Sequence, residues 1–222
     1  MISIENVKFH YPTGEFALRI PTLEVSDGEK VAVIGPSGSG KTTLLNLVAG
    51  IRTAQSGTIL VDDKTVNTLS DRERRDFRIT TIGFVFQAFE LLDYLDVRDN
   101  ILHPYRITNA LKVDRGVKAR AMSLAQDMGI DHLLGRFGAD LSQGEKQRAA
   151  ICRALLPRPR LILADEATGN LDPENKTRIL NLLFRAVADH EATLLAVTHD
   201  YDLLKHFDRV VDFRAFRVAE AT

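Results

Sequence analysis

The chain has 222 residues, of which 45% are hydrophobic and 27% are charged, and its formal net charge at pH 7 is -1. This length and composition predict a folded protein with a full hydrophobic core, built as one domain or as one domain with a subdomain. A net charge near zero excludes a non-specific attraction to nucleic acid or to an anionic membrane, so any such role must depend on a particular site.

Cysteine content and apolar runs indicate the compartment. The single cysteine, Cys152, has no partner for an internal disulfide, and residues 1–8 alternate apolar and polar side chains instead of forming a signal-peptide core. No stretch approaches the roughly 18 consecutive apolar residues of a membrane span. We therefore expect a protein of the reducing cytoplasm that does not cross a bilayer itself.

Strand-like and helix-like segments alternate along the chain with short polar breaks, which predicts an α/β fold. Short alternating segments at 2–11, 16–20 and 58–61 are typical of an antiparallel sheet, whereas the more apolar segments at 30–34, 79–86, 160–164 and 193–197 predict strands buried on both faces of a central sheet. No strand is convincing between residues 91 and 156. We therefore predict a helical subdomain at 88–156, with helices near 97–102 and 114–128, and a catalytic core formed by 1–87 and 157–222.

The first motif with chemical content lies between a strand-like segment at 31–34 and a helix-like segment at 43–49, as a phosphate-binding loop does. Its glycines let successive N–H groups point inward, Lys41 can reach the β and γ phosphates, and Thr42 can offer its hydroxyl to Mg²⁺. A plain glycine turn would not require this context, and a dinucleotide fingerprint is excluded because position 43 is Thr43 instead of glycine. The motif predicts binding of ATP with Mg²⁺ through Gly35, Pro36, Ser37, Gly38, Ser39, Gly40, Lys41 and Thr42.

A second motif consists of two adjacent carboxylates, Asp165 and Glu166, after the apolar segment 161–164. Ligands of α/β sheets collect where parallel strands end. Asp165 is placed to hold Mg²⁺ through water, while Glu166 points to the other side and can polarise an attacking water. Taken alone, such a pair is more commonly the charged start of a helix or plain surface.

A third motif, at residues 141–148, reads Leu-Ser-Gln-Gly-Glu-Lys-Gln-Arg. Ser142 and Glu145 have the spacing of a capping box, which predicts a helix through Leu156. The same helix start, with the Ser142 hydroxyl and the Gly144 N–H, also offers an anion site for a second face of a phosphate.

Together these motifs resemble the nucleotide-binding subunit of ATP-binding cassette (ABC) transporters over essentially the whole chain. Residues 141–148 resemble the ABC signature, residues 84–87 the Q-loop and 165–166 the Walker B end. Residues 170–172 resemble the D-loop and 198–200 the H-switch. The resemblance implies a P-loop NTPase core of the RecA-like type, with an N-terminal antiparallel β subdomain and an inserted α-helical subdomain.

The resemblance also implies a role for each matching residue. The catalytic residues would be Glu166 as the base, His199 as the sensor of the γ-phosphate, and Gln87. The nucleotide would contact the phosphate loop together with Tyr11 (stacking on adenine), Thr43, Ser142, Gln143, Gly144 and Asp172. The ligands of Mg²⁺ would be Thr42, Gln87 and Asp165.

The family mechanism implies two partners. Two copies of the chain would close head to tail, so that Ser142 and Gly144 of one copy face the γ-phosphate held by Lys41 of the other. A separate transmembrane permease would dock on residues 88–99, whose apolar side chains are Phe89, Leu91, Leu92, Tyr94 and Leu95.

Within the family, residues 167–172 and the Phe-Val-Phe-Gln sequence resemble the branch of the lipoprotein-release (LolD), MacB and FtsE subunits. This implies a permease of FtsX/MacB-like type and a peripheral location on the cytoplasmic face of the cell (inner) membrane. The chain departs from the usual pattern at Gln143, where the signature has its second glycine, and at Ala167, where a proline is common.

Two other functions are alternatives to a transporter subunit. A soluble ABC protein that acts on DNA or ribosomes would carry a long coiled coil or two cassettes, and this chain has one cassette and no sustained heptads, so we expect no nucleic-acid partner. An ATP-dependent switch without transport stays open. The arginines at 72, 74, 75 and 78 alternate with acidic residues, which favours a solvated helical face over a nucleic-acid site, and Cys152 is assigned to helix packing.

Overall fold

A computed structural model describes residues 1–13, 16–167 and 173–216. Its strands are β1 (Ile2–His10), β2 (Ala17–Val25), β3 (Lys30–Ile34), β4 (Ser56–Val61), β5 (Lys64–Thr65), β6 (Ile82–Val85), β7 (Leu161–Asp165), β8 (Thr193–Val197) and β9 (Arg209–Asp212). Its α-helices are α1 (Lys41–Val48), α2 (Asp71–Thr81), α3 (Val97–Arg106), α4 (Arg115–Asp127), α5 (Gln143–Leu155) and α6 (Pro173–His190), with short 3-10 turns at Val66–Thr68, Asp131–Leu133, Gly138–Asp140, Tyr201–His206 and Phe213–Phe216.

The early strands form a four-stranded antiparallel sheet in the order β2-β1-β4-β5. Alternate residues of β1 are buried while their neighbours are exposed, which is the pattern of a sheet with one face on the core. The antiparallel prediction is confirmed. β2 is longer than the predicted 16–20 because its pairing with β1 runs from His10 opposite Ala17 to Ile2 opposite Val25.

The central sheet is entirely parallel, with the strand order β6-β7-β8-β3-β9. Every residue of β7 and of β8 is buried, which explains their continuous apolar sequences. β9 was not predicted, because this edge strand is short and half exposed. Since all five strands run the same way, the loops after β3, β6, β7 and β8 emerge at one edge.

The predicted strand at 79–86 is wrong in its first part. Residues 79–81 complete helix α2, and the strand is confined to Ile82–Val85. The helix forms despite the strand preference of the β-branched residues Ile79 and Thr80. A capping box between Ser70 and Glu73 starts it, and the buried Phe77 packs it against the core. Its arginines lie on a helix, as predicted.

Two clusters of apolar side chains form the core. One fills the space between the two sheets around α1, where Leu44, Leu45 and Leu47 are completely buried. The other lies beneath α3, α4 and α5, which are all located between β6 and β7 in the sequence. Helix α5 begins after Ser142 and ends at Leu155, as its capping box predicts, and Cys152 is buried inside it.

Among the described residues, none of the helices combines the length and the apolar character needed to cross a bilayer.

Candidate active site

A cavity of about 440 Å³ opens at the edge where the parallel strands end. It is lined by residues that lie far apart in the sequence but follow neighbouring strands: the phosphate loop after β3, Gln87 after β6, Glu166 after β7 and His199 after β8. Its lining residues are Tyr11, Phe16, Ser37, Gly38, Gly40, Lys41, Thr42, Thr43, Gln87, Glu166 and His199.

The loop at residues 35–40 depends on glycine for its shape. Gly40 has a φ of 101°, and a Cβ placed there would lie 2.8 Å from the ring of Phe16, so no other residue fits without movement. Gly40 also caps helix α1, and the Leu44 N–H donates to its carbonyl oxygen at 2.8 Å. The helix therefore begins directly at the cavity and directs the positive end of its dipole towards it.

Lys41 extends along the inside of this loop. Its Nζ donates to the carbonyl oxygens of Gly35 and Pro36, both at 2.9 Å. Burial lowers the pKa of Lys41, while the charges of Glu166 and Asp165 act to raise it. A partly desolvated ammonium whose hydrogen bonds go to neutral carbonyls interacts strongly with phosphate oxygens.

Asp165 ends β7 and is 4% exposed. Burial raises the pKa of its carboxyl group, and a hydrogen bond with the side chain of Thr42 acts in the opposite direction. The Oδ1 atom of Asp165 has no hydrogen-bond partner among the described residues. An unsatisfied carboxylate oxygen beside a threonine hydroxyl is a donor set that suits Mg²⁺, which binds protein through few oxygen ligands and completes its shell with phosphate oxygens and water.

Glu166 is held by two other residues of the site. Gln87 Nε2 donates to Glu166 Oε2 at 3.1 Å, and His199 Nε2 lies 2.8 Å from Glu166 Oε1. The backbone of Glu166 has a φ of 50°, which is unfavourable for a residue other than glycine, and its N–H donates to Val197 O at 3.1 Å. The structure thus brings together all three residues that the sequence assigns to catalysis.

Tyr11 closes the cavity from the antiparallel sheet. Its hydroxyl is 3.0 Å from Thr43 Oγ1, and its ring contacts Phe9 and Phe16. The guanidinium group of Arg52 lies over the ring at 5.4 Å from its centroid, a cation–π contact that sequence reasoning missed. Nothing in the sequence around Arg52 marks it, because the contact joins two loops 41 positions apart.

The signature residues lie elsewhere. Ser142 caps helix α5 and donates from its hydroxyl to Glu145 Oε2 at 2.7 Å, and neither it nor Gln143 and Gly144 lines the cavity that holds Lys41. Asp172 and the rest of the predicted D-loop fall in 168–172, outside the described residues.

The predicted docking segment, residues 88–99, is only partly exposed. Phe89 is only 8% exposed and belongs to the core, and among its predicted apolar residues Tyr94 alone is largely exposed, at 74%. Asn100, which is fully buried, organises this segment by donating to the carbonyls of Leu92, Leu95 and Asp96. No local sequence pattern marks Asn100, because a buried asparagine inside a helix looks like an ordinary surface residue.

Comparison with known proteins agrees with this geometry. Residues 18–169 match the model of the ABC transporter family. The chain is 44% identical, over 88% of its length and 74% of the relative, to the uncharacterized ABC transporter ATP-binding protein YvcR of Bacillus subtilis (strain 168). It is 39% identical to the lipoprotein-releasing system ATP-binding protein LolD of Treponema denticola (strain ATCC 35405), over 84% of this chain and 81% of that one.

A solved structure shows the same fold. The chain superposes with a TM-score of 0.88 and 31% identity on the dimeric structure of a post-hydrolysis state of the ATP-binding cassette MJ0796 bound to ADP and Pi, over 96% of this chain and 94% of that one. The predicted P-loop NTPase fold is confirmed. With the nucleotide cavity, the Glu166 site and these similarities, the chain belongs to the ABC transporter family as an ATP-binding, ATP-hydrolysing subunit of the LolD branch.

Proposed function

We propose that two copies of this chain close head to tail around ATP and drive a separate transmembrane permease in export, extraction or mechanical signalling. The observation that carries the proposal is the separation of Ser142, Gln143 and Gly144 from the cavity of Lys41. These residues begin a helix and suit a phosphate, so a second copy is needed to bring them to one. The dimeric form of the similar cassette MJ0796 supports this arrangement.

In this proposal the residues of the cavity divide the binding of ATP and the chemistry between them. Lys41 and the N–H groups at the start of α1 bind the phosphates, and Tyr11 stacks on the adenine. Gln87 and His199 orient Glu166, which accepts a proton from the attacking water. Closure of the second copy excludes solvent and adds the Ser142 hydroxyl and the Gly144 N–H at the γ-phosphate.

Asp165, Thr42 and Gln87 would hold Mg²⁺. The unsatisfied Oδ1 of Asp165 and its neighbour Thr42 fit this ion. When bound, the ion supplies positive charge that neutralises the β and γ phosphates. No group of three histidine, cysteine, aspartate or glutamate side chains suited to a metal occurs in the described ranges, so the ion would arrive with the nucleotide.

The permease would dock on a groove between the core and the α3–α5 helices. This docking groove, about 250 Å³ in volume, is lined mainly by Ile51, Ile79, Phe84, Phe86, Pro104 and Ile107. Ile51 and Ile107 are 41% and 57% exposed, which leaves apolar surface for a partner.

The chemistry of the partner follows from a neighbouring cleft. Arg72, Arg75 and Arg78, against the one carboxylate of Asp76, line a cavity of about 800 Å³ that shares Arg78, Ile79 and Ile107 with the docking groove. We therefore propose that the docking segment of an FtsX/MacB-like permease carries an apolar face next to carboxylates. Through this contact the chain would be peripheral on the cytoplasmic face of the inner membrane.

Glu166→Gln tests the proposed catalytic cycle. The variant keeps the side-chain volume but loses the base, so we expect ATP hydrolysis to fall at least about 100-fold while ATP binding remains. The ATP-bound dimer should then accumulate, as measured by gel filtration with light scattering. Glu5→Gln, at an exposed position of β1, should behave as wild type.

A Glu166→Gln variant that remains monomeric with saturating ATP would contradict the head-to-tail dimer. A wild-type chain that binds ATP but releases no phosphate, with or without a permease, would favour the ATP-dependent switch instead.

A further inference from the structure

Arg153, near the end of helix α5, contacts the turn that follows Gln87. Its Nη2 donates to Phe89 O at 2.5 Å and its Nη1 to Glu90 O, so one guanidinium group holds two consecutive carbonyls. Burial lowers the pKa of Arg153 to about 10, which still leaves the group charged at neutral pH. The bonds are therefore charge-assisted.

The two carbonyls belong to a strained turn. Phe89 and Glu90 have φ values of 62° and 51°, in the left-handed region that most residues other than glycine and asparagine avoid. The backbone hydrogen bonds inside the turn are Phe89 N–H to Phe86 O at 3.1 Å and Glu90 N–H to Ala88 O at 2.7 Å. Strained residues persist when the surrounding structure holds them, and Arg153 is the side chain that bonds both carbonyls of this turn.

We propose that Arg153 is a positioning residue that fixes Gln87 against Glu166 and ties both to helix α5. This inference rests on the proposed function, in which Gln87 orients Glu166. Helix α5 is one continuous element of 13 residues with Ser142 at its start, so a displacement of Ser142 is carried to Arg153. Through Phe89 and Glu90 the displacement reaches Gln87, which lies two positions earlier.

A bound permease would also reach the contact between Arg153 and the turn at residues 89–90. Arg153, Glu90 and Phe86 all line the docking groove, so a segment bound there touches the guanidinium group and the turn together. Binding of the second copy at Ser142 therefore affects the two hydrogen bonds from Arg153 to Phe89 and Glu90. Binding of the permease in the groove affects the same two bonds. Arg153 sets the fraction of chains in which Glu166 is correctly oriented.

Arg153→Lys tests the inference. Lysine keeps the charge and much of the apolar stem, but its ammonium is a point donor that does not reproduce the planar fork. We expect kcat for ATP hydrolysis to fall about 10- to 100-fold, since small misplacements of catalytic groups have effects of this size. KM for ATP should stay within about twofold, because Lys41 and Tyr11 are untouched. Arg115→Lys, at the exposed start of α4, is the matched control.

A rescue separates positioning from plain packing. In Arg153→Lys/Glu90→Gly, glycine adopts the left-handed conformation without strain, so the turn needs less support and kcat should recover at least about threefold. Because Glu90 lines the docking groove, all of these variants are assayed without a permease, and Glu90→Gly alone gives the reference kcat against which the rescue is measured. A loss of activity in Arg153→Lys that glycine does not rescue, and that follows a matching loss of thermal stability, would overturn the inference.

Amide hydrogen exchange tests the same inference without relying on ATP hydrolysis. In Arg153→Lys the amides of residues 87–90 should exchange faster than in wild type and in Arg115→Lys, even if the wild-type chain hydrolyses no ATP. Unchanged exchange there would overturn the inference, whereas absent wild-type hydrolysis with faster exchange would refute only the proposed function.

Discussion

Asp165 combines two properties that oppose each other in a folded chain. It is nearly completely buried, yet its Oδ1 has no hydrogen-bond partner among the described residues. Burial raises the pKa of its carboxyl group above the ordinary 3.8. A group of this kind stabilises the fold most when protonated, and that contribution is lost as the pH rises through the raised folded-state pKa.

Asp165→Asn should therefore increase the free energy of unfolding of the nucleotide-free chain at pH 7, because asparagine fills the same space without the buried charge. The gain should shrink as the pH is lowered towards 3.8, where the wild-type carboxyl group is itself protonated. Thermal unfolding of both proteins over this pH range measures the difference.

The control is Asp63→Asn, an exposed position with a φ of 62° that asparagine tolerates. Its stability should remain within about 0.5 kcal/mol of wild type at every pH. A less stable Asp165→Asn variant at pH 7 would show that the site already satisfies the ionised carboxylate.

Asp165→Asn should also lose the dependence of ATP binding on added Mg²⁺.

At the level of elements, helices α2 and α5 begin with the same structure. Ser70 Oγ donates to Glu73 Oε2 at 2.6 Å and Ser142 Oγ to Glu145 Oε2 at 2.7 Å, and both serines cap the N–H three residues later. The hydrogen bonds with each serine lower the pKa of its glutamate partner. The two caps are equivalent as local structure, so in the proposed head-to-tail dimer the difference in function comes from what Ser142 meets in the second copy.

Ser70→Ala and Ser142→Ala should each cost about 1 kcal/mol of stability, the usual contribution of a serine cap. Only Ser142→Ala should lose ATPase activity, at least about tenfold, because a hydroxyl is missing at the γ-phosphate. Thermal unfolding and steady-state phosphate release measure the two effects. Equal loss of activity in both variants would assign Ser142 to capping alone.

Elements with a local signal were predictable. The capping box placed the start of α5 at Ser142, and continuous apolar sequence identified β7 and β8. The strand predicted at 79–86 was wrong because β-branched residues near the end of α2 obscured the boundary. β9 escaped prediction since an edge strand buries little and its short sequence resembles a loop.

At the level of the whole molecule, the candidate site was largely predictable because its motifs follow strands that share one edge. Residues held by non-local contacts were not. Arg52 contacts Tyr11 and Arg153 contacts the turn at 89–90, and in both cases the partner is distant in sequence. The carbonyl partners of Asn100 are only four to eight residues away, but they face it only once the segment before α3 has folded back on the helix. The domain boundaries at 87/88 and 156/157 and the roles of individual site residues stay predictions.

Ile107→Asp tests the docking groove. The side chain is 57% exposed and lies where the groove meets the arginine-lined cleft, so a carboxylate there should weaken binding of an apolar segment. Basal ATPase should be unchanged, and the stimulation of ATPase by the co-purified permease should fall at least about tenfold.

Val113→Asp provides the matched control, because Val113 is exposed and does not line the groove. It should retain full stimulation by the permease. If both variants respond to the permease as wild type does, the partner docks on another surface.

Cys152 gives the molecule a natural reporter. It is the only cysteine, it is fully buried in α5, and burial raises its pKa far above the ordinary value. A thiol reagent reacts with the thiolate and so reaches it only when α5 separates from its neighbours. The rate of Cys152 labelling therefore measures how often the helical region opens. The factor by which a ligand lowers this rate measures how strongly the ligand stabilises the closed region.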